Sequence, residues 1–219
     1  MKVFIGWDSR EDIAYQVAKK SILNHTKDVQ VYPIKQNHLR ELGIYTRSVD
    51  ELASTEFTIT RFLTPFLSDY AGISIFMDCD MLVQVDIKEI LKEIDYKDPV
   101  TCVQHEEYIP RSSVKMDGKP QQYYPKKNWS SFMVFNCGHP CLKNNLNLLS
   151  INNNSPSYLH RMEWASSIGI LPHTWNYLVG YYHDIEKPNV LHYTDGGPWF
   201  DNYKDCEFSE NWLQVEKEL

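Results

Sequence analysis

No two cysteines of this sequence form a Cys-x-x-Cys pair, and their total, five, is odd. That argues against a disulfide framework and against a zinc site of regular spacing. Cys79, Cys102, Cys137, Cys141 and Cys206 read instead as free thiols of a reducing compartment, and the cytoplasm is the expected location. Apolar runs are short. None approaches the ~18–20 residues that a membrane-crossing helix needs, so no membrane span is expected. The start, Met1 to Trp7, turns polar too soon for a signal peptide and reads as a first strand. Basic residues are the minority. With 22 Lys and Arg against 29 Asp and Glu, the net charge is −7, and no basic patch offers a nucleic-acid surface. Repeats and low-complexity tracts are missing, and nothing marks a domain boundary. A chain of 219 residues, 42 % hydrophobic, is then expected to form one large domain over residues 1–219 with a substantial core.

The most informative stretch is Ile73-Ser74-Ile75-Phe76-Met77-Asp78-Cys79-Asp80-Met81-Leu82-Val83. Its first five residues predict a buried strand of an α/β sheet. Asp78 and Asp80 would then sit at or past its carboxyl end, where open α/β sheets hold ligands. Residues i and i+2 of an extended segment point the same way. Both carboxylates can therefore converge on one hard divalent cation, and two clustered acids are costly unless paired or metal-bound. The plainer reading of the bare Asp-x-Asp spelling is a solvated turn.

Around this stretch the pattern alternates. Strands are expected at Lys2 to Trp7 and Val29 to Ile34, with a helix between them that Ser9 caps and Asp12 closes reciprocally. Ile13, Val17 and Ile22 share its apolar face with Ala14 and Ala18. A short helix comes next over Asn37 to Leu42. Gly43 to Thr58 is polar and irregular, fit for a loop near a ligand. Ile59 to Tyr70 reads as a helix, kinked by or starting at Pro65. A short helix at Ile87 to Ile94 and a strand at Val100 to Val103 come after it. Glu106 to Lys127 reads as a loop, Trp129 to Phe135 as a strand, and Leu142 to Ser150 and Ser157 to Ser167 as helices. Val190 to Tyr193 is a late strand, and the tail from Glu210 is helical. The strand–helix–strand opening marks a parallel sheet.

Several segments now line up: Trp7-Asp8 with Tyr15, Arg61, Phe76-Met77-Asp78-Cys79-Asp80, Asn128 to Cys137, Leu159 to Trp164, Trp175-Asn176, and His192-Tyr193-Thr194-Asp195-Gly196-Gly197-Pro198-Trp199. In this order the sequence resembles a GT-A-fold glycosyltransferase, most closely glycosyltransferase family 8 and its glycogenin-like relatives, over roughly residues 1 to 200. The resemblance implies an α/β fold: a Rossmann-like nucleotide-binding domain whose mostly parallel mixed sheet is flanked by helices. It also implies a nucleotide-sugar donor, UDP- or GDP-linked, a carbohydrate acceptor, and Mn²⁺ or Mg²⁺.

By the same resemblance Asp78, Asp80 and His192 hold the metal, against a purely structural reading of the histidine. Carboxylates suit a hard cation, and an added imidazole favours Mn²⁺. Asp8 and Tyr15 meet the base and ribose; otherwise Tyr15 packs on the sheet. Arg61 touches the donor, the alternative being a surface salt bridge. Asn136 and Glu163 lie toward the sugar and acceptor as the catalytic pair, with Ser130 near them, and Trp164 replaces the family's amide after the acid. Trp175-Asn176 matches a family element that is structural or substrate-facing. The family's Lys-Pro-Trp is here Gly197-Pro198-Trp199, so the N–H groups of Gly196 and Gly197 are expected to serve the diphosphate in place of the lysine. Two other classes share the Asp-x-Asp spelling or the fold: a haloacid-dehalogenase-type phosphatase, which wants Thr or Val where Leu82 stands, and a catalytically silent sugar-binding module.

Overall fold

Strand, helix and strand alternate from Lys2 to Ile34, and this opening builds the first parallel layer. The computed structural model describes residues 1–49, 53–105 and 126–219. Its strands are β1 (Lys2–Gly6), β2 (Gln30–Ile34), β3 (Ile73–Met77), β4 (Met81–Val83), β5 (Val100–Val103), β6 (Phe132–Asn136), β7 (Ile168–Leu171), β8 (Tyr177–Leu178) and β9 (Val190–His192). Its α-helices are α1 (Asp12–His25), α2 (Gln36–Glu41), α3 (Thr64–Leu67), α4 (Pro140–Asn145), α5 (Leu148–Asn153), α6 (Pro156–His160) and α7 (Ser209–Glu216).

Six strands form the main sheet in the order β2-β1-β3-β6-β5-β7. β6 alone runs against its neighbours; β1 is parallel to both β2 and β3, and β5 to β7. Ile75, Phe76 and Met77 are wholly buried, as expected of a central strand covered on both faces. A second sheet, β4-β9-β8, has its own apolar cluster of Leu82, Leu191, Tyr177, Tyr193 and Trp212, closed by Val17 of α1. The chain leaves the main sheet after Met77 and enters the second at Met81. Asp78-Cys79-Asp80 is the bend between the two. Among the described residues, no helix is long and apolar enough to cross a membrane.

Local structure departs from expectation where backbone conformation intervenes. α1 begins after Glu11 without a side-chain cap, and the Ser9 hydroxyl binds Glu56 instead. Ile13 is 38 % exposed; Ala14, Val17, Ala18, Ser21 and Ile22 make the buried face. The helix expected through Tyr70 is a 3₁₀ turn (Thr60–Leu63) followed by α3, with Pro65 in the first turn. It stops because Asp69 and Tyr70 take left-handed φ values of 55° and 51°. Ile87–Lys92 and Trp129–Ser131 are also 3₁₀ turns. α4 and α5 replace one helix, and Asn147 caps the second. α6 is short because Met162 turns left-handed at φ 56°. β7 is a half-exposed edge strand. Its Gly169 lies so close to β5 that a Cβ there would stand 2.7 Å from Thr101 Oγ1. The loop expected over Glu106 to Lys127 falls outside the described residues for 106–125.

Candidate metal and donor site

Both ends of the acidic bend are tied down. The Asp78 N–H donates to the Ser131 carbonyl at 2.9 Å, and the Tyr193 N–H donates to the Asp80 carbonyl at 2.9 Å. The 3₁₀ turn before β6 thus holds one acid, and the residue after β9 holds the other. Met81 pairs with His192 across the second sheet, which brings the imidazole beside Asp80. His192 Nε2 lies 3.5 Å from Asp80 Oδ2, and its Nδ1 lies 2.8 Å from Asn176 Oδ1.

Arg61 is buried beneath the acids, with a side chain only 7 % exposed. Its Nη1 reaches Asp78 Oδ1 at 2.9 Å and the Ser130 carbonyl at 2.8 Å. The guanidinium lies over the rings of Phe57 and Phe76, at 5.3 and 5.1 Å from their centroids. Phe57 can sit there only because residue 6 is glycine: a Cβ on Gly6 would stand 2.4 Å from the Phe57 ring. Arg61 is therefore neither a surface cation nor a free one. It holds Asp78 in place.

These groups could hold a divalent cation. Ligand atoms of Asp78, Asp80 and His192 all lie within 4.8 Å of one another. Around a six-coordinate ion with ~2.1 Å bonds, neighbouring ligands stand ~3 Å apart and opposite ones ~4.2 Å. Asp80 Oδ1 is buried and makes no hydrogen bond among the described residues, which is costly for a carboxylate oxygen without a cation. Arg61 offsets Asp78, whereas no cation among the described residues pairs with Asp80 apart from a protonated His192.

The end of β1 is different. Asp8 is fully buried, and both of its oxygens are engaged. Oδ1 accepts from Arg10 N and Nε at 3.0 and 2.9 Å, and Oδ2 from Arg10 Nη2 and Glu56 N at 2.8 and 3.1 Å. Burial alone would raise this carboxyl, but the Arg10 bonds, the backbone N–H bonds of Arg10 and Glu56 and the Arg10 charge bring it below the usual range. The loop 53–58 is thereby pinned to β1, with Arg10 Nη2 also donating to the Ser54 carbonyl at 2.8 Å. A cavity of about 530 Å³ opens alongside, lined in part by Arg10, Gln36, Tyr45, Arg47, Thr55 and Glu56; none of the three clustered ligands lines it. Three residues after Asp8, Glu11 is 7 % exposed. Burial, then the charges of Asp80 and Asp8, push its carboxyl up to about 8, and a bond from Trp199 Nε1 at 3.2 Å only partly opposes them. The Trp199 ring covers Gly197 so closely that a Cβ there would lie 1.9 Å from it. A lysine at 197 and this placement of Trp199 exclude each other.

No family model matches the sequence. Protein CDI of Arabidopsis thaliana is 47 % identical over 225 residues, covering 99 % of this chain and 86 % of that protein. The chain belongs to the CDI family. Solved structures share its GT-A fold. The galactosyltransferase LgtC, solved with donor and acceptor sugar analogues, superposes with a TM-score of 0.61 at 12 % identity, covering all of this chain and 96 % of LgtC. The glycosyltransferase GlyE of Streptococcus pneumoniae TIGR4 gives 0.61 at 15 %, and the bifunctional WbbM gives 0.65 at 17 %. The chain covers 98 % of itself but 59 % of GlyE in the first case, and 99 % of itself but 49 % of WbbM in the second.

In this member of the CDI family the structure brings together Asp78, Asp80 and His192, with Arg61 and Ser130 directly behind them. Other expected residues lie apart from this cluster or have their polar atoms engaged elsewhere. Tyr15 is 5 % exposed and packs into the core under the sheet, its hydroxyl pushed up to about 12 by burial, then by Asp12. Asp8 has no lone pair left for a base or ribose. Asn136 lies away from the acids because β6 is antiparallel: it pairs with Ile73, at the amino end of β3, while Phe132 pairs with Met77. Four residues of strand put it roughly 13 Å from the acidic edge, and its amide donates to the Tyr96 carbonyl at 2.7 Å. Glu163 is exposed and makes no contact with the cluster among the described residues; its neighbour Trp164 stacks on Phe135, toward the same far end of β6. The Gly196 N–H is spent on the Tyr193 carbonyl at 2.8 Å, so only the Gly197 N–H is unused among the described residues. Glu11 and His105 carried no spacing signal. His105 is buried, its Nδ1 2.8 Å from the Tyr182 hydroxyl. Burial, then the nearby imidazoles of His192 and His173, push it down to about 3, leaving a neutral ring near the site.

Proposed function

We propose that the chain is a divalent-metal-dependent glycosyltransferase, moving a sugar from a UDP- or GDP-linked donor to a carbohydrate acceptor. The observation that carries this reading is the buried Asp80 Oδ1, without a hydrogen-bond partner among the described residues, beside Asp78 and His192 at ligand spacing on a GT-A fold. Asp78, Asp80 and His192 would hold Mn²⁺ or Mg²⁺, which when bound supplies Lewis-acid stabilisation of the leaving nucleoside diphosphate.

The chain's own residues prepare that site. Arg61 fixes Asp78 from below through a buried ion pair. Before a cation binds, burial and the charges of Asp80 and Asp8 hold the Glu11 carboxyl up, which limits the negative charge beside the acids. The Gly197 N–H, unused among the described residues, is placed to donate to a phosphate oxygen, while Trp199 fills the space a lysine would need. The donor's nucleoside is assigned to the cavity beside Asp8, whose Arg10 wall is held by the Asp8 carboxylate. The acceptor is assigned to the opposite side, toward Ser130 and His105.

The test is a panel of UDP- and GDP-sugars incubated with Mn²⁺ and oligosaccharide acceptors. Release of nucleoside diphosphate, lost in Asp80→Asn, supports the reading. Release of inorganic phosphate from phosphate esters would favour a phosphatase. Donor binding without turnover across acceptors would favour a silent sugar-binding module.

A further inference from the structure

Resting on the metal-site reading above, we infer that Asn176 is a positioning residue that locks His192 in the tautomer whose Nε2 presents a lone pair to the cation. The hydrogen-bond chain behind the imidazole allows one direction only. The Asn128 carbonyl can only accept. Ser131 Oγ lies 2.6 Å from it and donates its single proton there. That hydroxyl can then only accept from Asn176, at 2.9 Å. The Asn176 atom facing it must be the amide nitrogen, whose second proton reaches the Asn128 carbonyl at 3.3 Å. The other end of the side chain is consequently the carbonyl oxygen, and it faces His192 Nδ1 at 2.8 Å. An oxygen at that distance requires a proton on Nδ1. In the neutral ring Nε2 then carries a lone pair, pointed at Asp80 Oδ2 from 3.5 Å. Two acceptors then face each other, and a metal cation between them, or a proton on Nε2, relieves the contact.

Asn176 is 0 %, His192 2 % and Ser131 3 % exposed, so water does not compete for the Ser131–Asn176 and Asn176–His192 bonds, while the Asn128 carbonyl is half-buried. The arrangement also couples the two halves of the site. Ser131 supplies the hydroxyl that orients Asn176 and the carbonyl that receives the Asp78 N–H. One 3₁₀ turn, Trp129–Ser131, thus sets Asp78 directly and His192 through Asn176. Asn176 itself comes from the 3₁₀ turn His173–Asn176, which runs straight into β8 beside β9.

The test is imidazole ¹⁵N NMR on the metal-free full chain with the ring neutral, paired with Mn²⁺ titration calorimetry. In the wild type, His192 is expected as the Nδ1–H tautomer; an Nε2–H tautomer overturns the inference and needs no variant. Asn176→Asp keeps an acceptor facing Nδ1 and should keep the tautomer. Asn176→Leu should shift the ring toward Nε2–H and weaken Mn²⁺ by about 10- to 100-fold, the range seen when outer partners of metal-bound histidines are removed. Equal Mn²⁺ affinity in Asn176→Leu and wild type would overturn this role while leaving the metal site standing. Absence of Mn²⁺ binding by the wild type would overturn the metal-site reading itself, and this role with it.

Discussion

Asp8 stands two residues beyond β1 and Asp80 three beyond β3, so two acids of one type lie just past the carboxyl ends of neighbouring strands. Their surroundings are opposite. Asp8 is saturated by Arg10 and the Glu56 N–H. Among the described residues, Asp80 keeps one buried oxygen with no hydrogen bond and turns the other toward an imidazole. The difference lies in the residues immediately C-terminal to each acid. Arg10, two residues on, folds back over Asp8 in a turn that any Asp can start, whereas Asp80 leads directly into β4. A saturated carboxylate is an anchor whose loss costs stability. An unsatisfied one beside other acceptors is a place for a cation, and its loss costs binding.

The sharpest break of that contrast is Asp80→Asn. Mn²⁺ affinity and sugar transfer should fall by more than about 100-fold, beyond the ~10–100-fold typical of outer partners alone, while the melting temperature holds or rises. Arg61→Ala comes next. It strips a buried cation from Asp78, and breaking such a pair costs about 3–5 kcal/mol of stability; chemical denaturation should show this, with Arg61→Lys recovering only part because it offers a point charge and no fork. Asp8→Ala should cost about 2–3 kcal/mol, since two backbone N–H groups lose their acceptor while the Arg10 side chain, 44 % exposed, can turn to water. Its Mn²⁺ affinity by calorimetry should stay within about 3-fold of wild type, the reverse of the Asp80 pattern.

Glu11 offers a smaller, pH-dependent probe. Its folded carboxyl titrates at about 8, above its ordinary 4.5, so between those values the folded state holds a proton that the unfolded chain has released. Stability from this group is complete below about pH 4.5 and is lost as pH rises through about 8, with a slope of at most ~1.4 kcal/mol per pH unit. Glu11→Gln should flatten that slope in denaturation curves taken across the window. Saturating Mn²⁺ should flatten it in the wild type, because a cation beside Asp80 offsets one of the charges that lift Glu11. The smallest effects are expected for Asn136→Ala and Glu163→Gln, which should leave transfer within about 2-fold of wild type. A large loss in either would put the acceptor side of the site elsewhere than proposed.

Much of the frame was legible in the sequence because period and burial agree there. The apolar run Ile73 to Met77 announced β3, and the Asp78–Asp80 spacing announced two convergent acids. His192 was found through resemblance, and the pairing of β4 with β9 supplies the physical reason it arrives. What the residues did not show was direction and occupancy. Asn136 looked well placed until the antiparallel run of β6 carried it to the far end of β3. Asp8 looked like a ligand group because nothing in its spelling shows that Arg10 folds back onto it. Arg61 looked like a donor contact because burial beneath Asp78 depends on Gly6 admitting Phe57, a contact between residues 51 positions apart. Asn176 sat in a matched motif, but its role depends on a hydrogen-bond direction that only the neighbouring Ser131 and Asn128 decide.

The most direct test of the central claim is a Mn²⁺ titration followed by electron paramagnetic resonance, on wild type, Asp80→Asn and Asp8→Ala side by side. One tight site in the wild type, kept in Asp8→Ala and lost in Asp80→Asn with the fold intact, is the predicted result. Equal binding in the wild type and Asp80→Asn, or loss in Asp8→Ala alone, would contradict it.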